Sequence, residues 1–271
     1  MFNLSRKIGV FAVAVAAIGW TTSANAGVVA HYSFDATVTA DDSGNGNTLT
    51  AGGGGPGLVG GQFGTAADFN GVSFLYLNGA SKNSAFNVLT GNFALSYWYK
   101  SDLTSFGQLA GKSSSDLDLG YASTLGGTYV GGDLNDTTAG GVGILRPASD
   151  DDTYQHIVFQ KIGSLLQLYV NGSIVGASTT PGGLDAVNNA FAIGTRNIAL
   201  TGTENFNGAS QKFDGQIDEV WVFEDALTPE EIINLKKFND IGGQQVPEPG
   251  TIALIGLGLF GLRYGMRRRR N

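Results

Sequence analysis

The chain has 271 residues, of which 42 are glycine and only 14% are charged, a composition that favours one domain of many short strands and turns. It has no cysteine, which excludes disulfide bonds, thiolate nucleophiles and zinc–cysteine sites. Seven of the 16 basic residues lie in the terminal segments, so the body sets nine basic residues against 22 acidic ones, and its net charge of about −13 excludes nucleic acid as a partner.

The N-terminal segment has the three parts of a secretory signal. MFNLSRK is basic, IGVFAVAVAAIGW is an apolar run, and TTSANA ends with small residues at Ala24 and Ala26. This order predicts a signal peptide over residues 1–26, cleaved after Ala26. A buried N-terminal helix is the alternative interpretation.

The body, residues 27–241, begins with alternating apolar residues, which predict a strand. One face of this strand carries Val28, Ala30, Tyr32 and Phe34, and the other carries His31. A second alternating segment, FALSYWYK, places Trp98 opposite Phe93, Leu95, Tyr97 and Tyr99. Because both faces of these strands are largely apolar, we expect a stack of two sheets.

The loop DDSGNGN, which starts at Asp41, offers side-chain oxygens at alternate positions. Calcium binds six to eight oxygens, so this loop is a candidate calcium site. It is not an EF-hand, because the twelfth position counted from Asp41 is Gly52. The alternative is a turn that hydrogen-bonds its own backbone.

The segment HIVFQKIGSLLQLYVNGSIVGAS predicts an antiparallel meander. Turns are expected at Gly163-Ser164 and at Asn171-Gly172, the latter with positive φ. The strand GQIDEVWVF should then carry Ile217, Glu219, Trp221 and Phe223 on one face. A capping box at Thr228-Pro229-Glu230-Glu231 begins one short helix, with Ile232, Ile233 and Leu235 buried.

The C-terminal residues form a linker and an apolar tail. Residues 242–250 contain Pro247, Glu248 and Pro249, and residues 251–271 hold a short apolar stretch followed by arginines. As a helix, the apolar stretch spans about 18 Å, less than the hydrocarbon core of a bilayer. The arginines should stay cytoplasmic, which leaves the body outside.

The order Pro-Glu-Pro, apolar segment and arginines resembles the PEP-CTERM sorting signal of Gram-negative bacteria. The resemblance implies that an exosortase-type enzyme processes the tail near Pro247, Glu248 and Pro249 after transient anchoring in the inner membrane. It also implies delivery to the cell surface, the outer membrane or the extracellular matrix. A plain C-terminal anchor is the alternative.

An ordered series of segments across the body resembles the laminin-G-like, concanavalin A-like lectin/glucanase superfamily. The series is YSFD, DDSGNGNTL, GQFGTAADFNG, FALSYWYK, YQHIVFQKIGSLLQLYVNGSIVG, AIGTRN and FDGQIDEVWVFEDALTPEEIINL. The resemblance implies an all-β fold, a two-sheet antiparallel jelly-roll sandwich with one short helix near the end of the domain. It also implies a structural calcium ion bound by Asp41, Asn47 and Asp218, with help from Asp35.

No arrangement of acids in the sequence suits glycoside hydrolysis, which needs two carboxylates across a cleft. Asp218 and Glu219 are adjacent and should point to opposite faces of a strand. Asp116 and Asp118 lie in a serine-rich loop, and His31 and His156 lack a nucleophile motif. We therefore expect no catalytic residues.

These features together predict an exported, non-catalytic module that binds an extracellular glycan or exopolysaccharide. The loops 113–152 and 197–214 are the candidate contact regions. Two alternatives stay open: a glycoside hydrolase or lyase on the same fold, and a purely structural protein associated with exopolysaccharide.

Overall fold

The computed structural model describes residues 26–79, 86, 91–101, 106–113, 120–126, 129–135, 142–147, 152–179, 189–196 and 212–241. The strands are β1 (Val28–Tyr32), β2 (Thr50–Gly52), β3 (Gly57–Gly60), β4 (Thr65–Asn70), β5 (Phe74–Tyr76), β6 (Phe93–Lys100), β7 (Phe106–Ser113), β8 (Gly120–Gly126), β9 (Tyr129–Asn135), β10 (Val142–Pro147), β11 (Gln155–Ile162), β12 (Leu165–Val170), β13 (Ser173–Thr179), β14 (Ala192–Ile193) and β15 (Asp214–Phe223). One helix, α1 (Pro229–Phe238), follows β15.

The predicted signal peptide up to residue 25 and the predicted linker and tail from residue 242 lie outside the described residues, as do Asp116 and Asp118. In the described part of the chain, no helix could span a lipid bilayer. The signal cleavage after Ala26 and the anchoring of residues 251–271 therefore stay predictions.

The strands form two antiparallel sheets. The first sheet has the order β13-β12-β11-β6-β15-β4-β3, and β1 also pairs with β15. The second sheet has the order β10-β9-β8-β7-β14-β5-β2. This architecture confirms the predicted two-sheet, all-β sandwich with one short helix.

The main hydrophobic core lies between the two sheets. Phe93, Leu95, Tyr97 and Tyr99 of β6 all point into it, as the alternation predicts, and they meet Leu75, Leu109 and Ile193 of the second sheet. Trp98 lies on the outer face of the first sheet and is 5% exposed. Each large apolar side chain buried here stabilises the fold by about 1.5–3 kcal/mol.

The predicted meander is confirmed as β11, β12 and β13. Gly163 has φ of 57° at the first turn, and Asn171 and Gly172 have φ of 50° and 80° at the second. These left-handed values explain why glycine and asparagine stand at the turns.

Helix α1 covers part of the outer face of the first sheet. The Thr228 side chain accepts a hydrogen bond from the Glu231 backbone, and the Glu231 side chain accepts one from the Thr228 backbone, so the predicted capping box is present. Ile232 and Leu235 pack in a second cluster against the first sheet. Ile233, which was expected to be buried, is half-buried.

The chain enters and leaves the domain at this second cluster. Ala26 is buried in it, and Ile241 packs against it. The backbone nitrogen of Ala26 lies 3.5 Å from Glu231 Oε1, and Glu224 donates its backbone N–H to the Gly27 carbonyl at 2.9 Å. The two ends of the domain are therefore adjacent.

Strand β15 changes partner along its length. On one side it pairs first with β4, up to Ile217, and then with β1, from Val220. A bulge separates the two halves, and Glu219 there has φ of 52°.

The extra residue of this bulge reverses the faces of the residues that follow it, so the predicted alternation of β15 does not hold along the whole strand. Ile217 lies in the main core with Val220 and Val222, whereas Trp221 and Phe223 pack on the outer face. The prediction that placed Ile217 on the face of Trp221 and Phe223 is therefore wrong. A similar irregularity in β1 places Val29 in the core and Val28 on the outer face.

Candidate functional site

The loop that starts at Asp41 closes on itself and on strand β1. Asp41 Oδ1 accepts hydrogen bonds from the His31 backbone at 3.1 Å and from the Ser43 backbone and hydroxyl at 3.0 and 2.6 Å. Asp41 Oδ2 accepts one from the Asn47 backbone at 2.7 Å, and the Asn47 side chain donates to the Val29 carbonyl at 2.8 Å. The Asp41 carboxylate thus acts as the centre of a turn, which is the alternative that the sequence left open.

Asp35 and Asp218 lie elsewhere, on either side of the turn at residues 61–65. Asp35 Oδ1 accepts the Thr65 backbone N–H at 2.8 Å, and Asp218 Oδ2 accepts the Phe63 backbone N–H at 3.0 Å. A Cβ at Gly61 would lie 2.5 Å from Asp218 Oδ2, so the backbone approaches that carboxylate closely. The structure therefore brings two of the four predicted calcium ligands to one turn.

One carboxylate oxygen of Asp218 is available for a further ligand. It is fully buried, and its Oδ1 has no hydrogen-bond partner among the described residues. Burial raises the pKa of its carboxyl group to about 7, the Phe63 backbone N–H opposes that rise, and the neighbouring Glu219 carboxylate adds to it. A buried carboxylate oxygen without a partner is costly, so this atom suits a cation, a water molecule or a proton.

The donor set fits calcium unevenly. Asp218 Oδ1 is available, and Asp35 is exposed beside the same turn. Both oxygens of Asp41, in contrast, already accept hydrogen bonds. Within the described ranges, no group of three or more His, Cys, Asp or Glu side chains is placed to bind a metal ion.

The bulge in β15 brings together a pair that the sequence did not predict. His31 Nε2 lies 2.6 Å from Glu219 Oε2, and the His31 ring stacks on Trp221 with centroids 3.6 Å apart. The Trp221 Nε1–H donates to Asn239 Oδ1 at 2.9 Å. Glu219 therefore fastens β1 to β15, while Asp218 holds the turn at residues 61–65.

A serine and a histidine also meet on the outer face of the first sheet. Ser96 Oγ lies 2.9 Å from His156 Nε2, and both residues are 1% exposed. His156 Nδ1 has no partner among the described residues, whereas a catalytic triad places an acid there. Burial, with a smaller contribution from Lys236, lowers the pKa of His156 to about 3, which makes it a poor general base near neutral pH.

The sheet register also brings together four partly exposed side chains whose proximity could not be predicted from the sequence. Asp68 pairs with Gln216, and Gln216 pairs with Lys100. Tyr154 precedes β11 and reaches Gln216 with its hydroxyl, at 2.7 Å. These residues come from distant parts of the chain, so only the strand order reveals that they are neighbours.

Several solved structures resemble this fold. The binding domain of Paraclostridial Mosquitocidal Protein 1 matches with a TM-score of 0.59 and 16% identity, over 78% of this chain and 52% of that one. Domain 4 of AbnA, a GH43 extracellular arabinanase from Geobacillus stearothermophilus, in complex with arabinotriose, matches with a TM-score of 0.52 and 21% identity, over 79% and 100% of the two chains. These identities show a shared fold alone.

A third similar structure concerns botulinum neurotoxin type C, whose cell entry depends on interaction with two ganglioside molecules. It matches with a TM-score of 0.59 and 12% identity, over 78% of this chain and 50% of that one. The chain thus spans about half the length of the two toxin chains that it matches.

Comparison with family models agrees with both resemblances that the sequence carries. Curated proteins give no match to the chain. Residues 245–270 match the PEP-CTERM protein-sorting motif. Residues 76–233, more than half of the chain, match the model of the concanavalin A-like lectin/glucanases superfamily, and the chain therefore belongs to that superfamily.

Proposed function

We propose that this protein is an exported, non-catalytic carbohydrate-binding or adhesion module of a Gram-negative bacterium. The observation that carries the proposal is the combination of a lectin-type sandwich over residues 76–233 with a sorting motif over residues 245–270. Its ligand is a glycan or exopolysaccharide at the cell surface, on the outer membrane or in the extracellular matrix. Similar folds in the AbnA domain, solved with arabinotriose, and in a neurotoxin that depends on gangliosides support a sugar ligand.

Three of the described acids hold the fold, which supports binding rather than catalysis by these groups. A glycosidase needs two carboxyl groups about 5–10 Å apart that both face the substrate. Here Glu219 contacts His31, Glu231 caps helix α1, and Asp41 holds its own loop. Each of these carboxylates is engaged in holding the fold.

The match to the sorting motif supports a route by which the protein is exported. An exosortase-type enzyme cleaves near Pro247, Glu248 and Pro249, after the apolar tail has held the chain in the inner membrane. The body then lies outside the cytoplasm, where an acidic, cysteine-free domain can meet polysaccharide.

A structural calcium ion belongs to this proposal, at the turn of residues 61–65. Asp218 Oδ1 and Asp35 would hold the ion, and their carboxylates would supply its negative ligands. Asp41 and Asn47 would support it indirectly, through the loop packed on β1. If calcium binds here, it should raise the melting temperature of the wild-type protein but not that of an Asp218→Asn variant.

A glycan array, probed with the exported protein in calcium and again in EDTA, tests the proposed function. We expect selective binding to at least one glycan, weakened by EDTA if the ion supports the binding surface. Incubation with the bound glycan should release no new reducing ends. New reducing ends would indicate a hydrolase, and an array without any bound glycan would favour a purely structural protein.

A further inference from the structure

A row of polar and aromatic side chains crosses the outer face of the first sheet. It consists of Asp68, Lys100, Tyr154 and Gln216, which we call the polar row. Directly paired residues of neighbouring strands share a face, so the pairs Asp68–Gln216 and Gln216–Lys100 place three members side by side. The row lies at the opposite end of β6 from Ala94, which packs in the cluster with helix α1.

Tyr154 lies across this row. Because Gln155 pairs with Tyr99, Tyr154 starts beside Lys100 at the edge of β11. Its hydroxyl donates to Gln216 Oε1 at 2.7 Å and contacts the Gly60 carbonyl at 3.3 Å. The ring therefore reaches from the edge of β11 across β6 towards β15 and is partly buried.

The other members of the row retain groups that can bind hydroxyls. The Gln216 side-chain oxygen is occupied by Tyr154, which leaves the amide nitrogen as a donor. Gly57 stands opposite Asp68 in β3, so the directly paired position places no side chain beside Asp68. Lys100 Nζ lies 6.0 Å from the Tyr154 ring centroid and 3.4 Å from the exposed Asp152 carboxylate.

The charge of this surface decides which class of saccharide it suits. The Lys100 charge is balanced by Asp152, and Asp68 adds a negative charge, in a body whose net charge is about −13. Such a surface repels uronic and sulfated glycans. A neutral saccharide avoids that repulsion, and its hydroxyls can donate to a carboxylate and accept from an amide.

We propose that the polar row is a binding subsite for a neutral saccharide, an assignment that rests on the proposed carbohydrate-binding function. A sugar ring packs against the exposed part of the Tyr154 side chain, its hydroxyls donate to Asp68, and they accept from Gln216 Nε2 and Lys100 Nζ. Neighbouring strands lie about 4.8 Å apart, so the backbones at Asp68 and Lys100 are separated by about 10 Å.

The test measures binding of the exported, processed protein to immobilised arabinan, β-1,3-glucan and dextran, with alginate as the anionic probe. We expect one neutral glycan to bind and alginate not to bind. Tyr154→Ala and Asp68→Asn should each weaken that binding about tenfold or more, as expected for loss of a packed ring or of a charged hydrogen-bond acceptor. Tyr154→Phe should weaken it less than Tyr154→Ala, because the ring remains.

Glu230→Gln is the matched control, because it removes one negative charge from the exposed start of helix α1. It should leave the affinity within about twofold of wild type. Thermal unfolding checks that every variant folds. If a neutral glycan binds wild type and the row variants equally, the subsite is wrong while the proposed function stands. If alginate alone binds, the neutral subsite is wrong. If none of the probes binds, the subsite is wrong, and the glycan array decides the proposed function separately.

Discussion

Asp218 and His156 show how single buried groups couple this fold to pH in opposite directions. Asp218 holds its proton up to a pKa of about 7 in the folded protein, against 3.8 in the unfolded chain. His156 stays neutral down to a pKa of about 3, against 6.5 when unfolded. As the pH falls from 7 to 4, the titration of Asp218 therefore raises the free energy of unfolding, whereas the titration of His156 lowers it.

We predict that Asp218→Asn removes the Asp218 contribution to the pH dependence of the unfolding free energy. In EDTA, the folded state binds a proton at Asp218 that the unfolded state lacks between pH about 4 and 7, so stability falls as pH rises through that window. The difference in unfolding free energy between the variant and wild type should change with pH by a few kcal/mol. Urea unfolding at several pH values measures this difference, and taking the difference removes the His156 contribution. An equal pH dependence in the two proteins would contradict the raised pKa.

The bulge in β15 determines where the side chains of Asp218 and Glu219 point. It lies where β15 exchanges β4 for β1, and it directs Asp218 to the turn at residues 61–65 and Glu219 to His31. Glu219 adopts a left-handed conformation, which costs a side-chain-bearing residue of order 1–3 kcal/mol. The contact with His31 helps to offset that cost.

A comparison of two truncations at Glu219 tests this strain. Both Glu219→Ala and Glu219→Gly lose the His31 contact, but only glycine accepts φ of 52° without strain. We expect the glycine variant to be more stable than the alanine variant by about 1 kcal/mol, the reverse of the usual order in a strand. Chemical denaturation of the two variants gives this difference. If the alanine variant is the more stable one, the bulge is not strained.

The elements that could be predicted from the sequence are those specified by local chemistry. The turn at Asn171-Gly172, the capping box at Thr228 and the alternation of β6 each depend on residues a few positions apart. The bulge could not be predicted, because it lies where β15 exchanges β4 for β1, and only the sheet order reveals that place. The polar row could not be predicted either, because Asp68 and Gln216 become neighbours only through the sheet order.

At the scale of the whole molecule, the predicted signal peptide and the sorting motif lie on either side of the β-sandwich. The match to the sorting motif over residues 245–270 implies processing of the tail, and the composition of residues 1–26 predicts removal of a signal peptide. The charge of the chain would then change on maturation, because the arginines of both ends leave and the acidic body remains.

We predict that the protein recovered from the cell surface or medium begins at Gly27 and lacks Arg267–Arg270. Intact-mass spectrometry with peptide sequencing measures both ends. Replacing Pro247, Glu248 and Pro249 by alanines should leave the N-terminal cleavage unchanged but retain the C-terminal arginines and the membrane association. A surface form that still carries the four arginines would contradict the processing.

The adjacency of Ala26 and Ile241 has a mechanical consequence. The predicted signal peptide and the predicted tail would both depart from the domain beside the cluster that holds Ala26 and Ile241. Tension between them would load β1, helix α1 and the cluster that joins them before it reached the strands farther from Ala26 and Ile241.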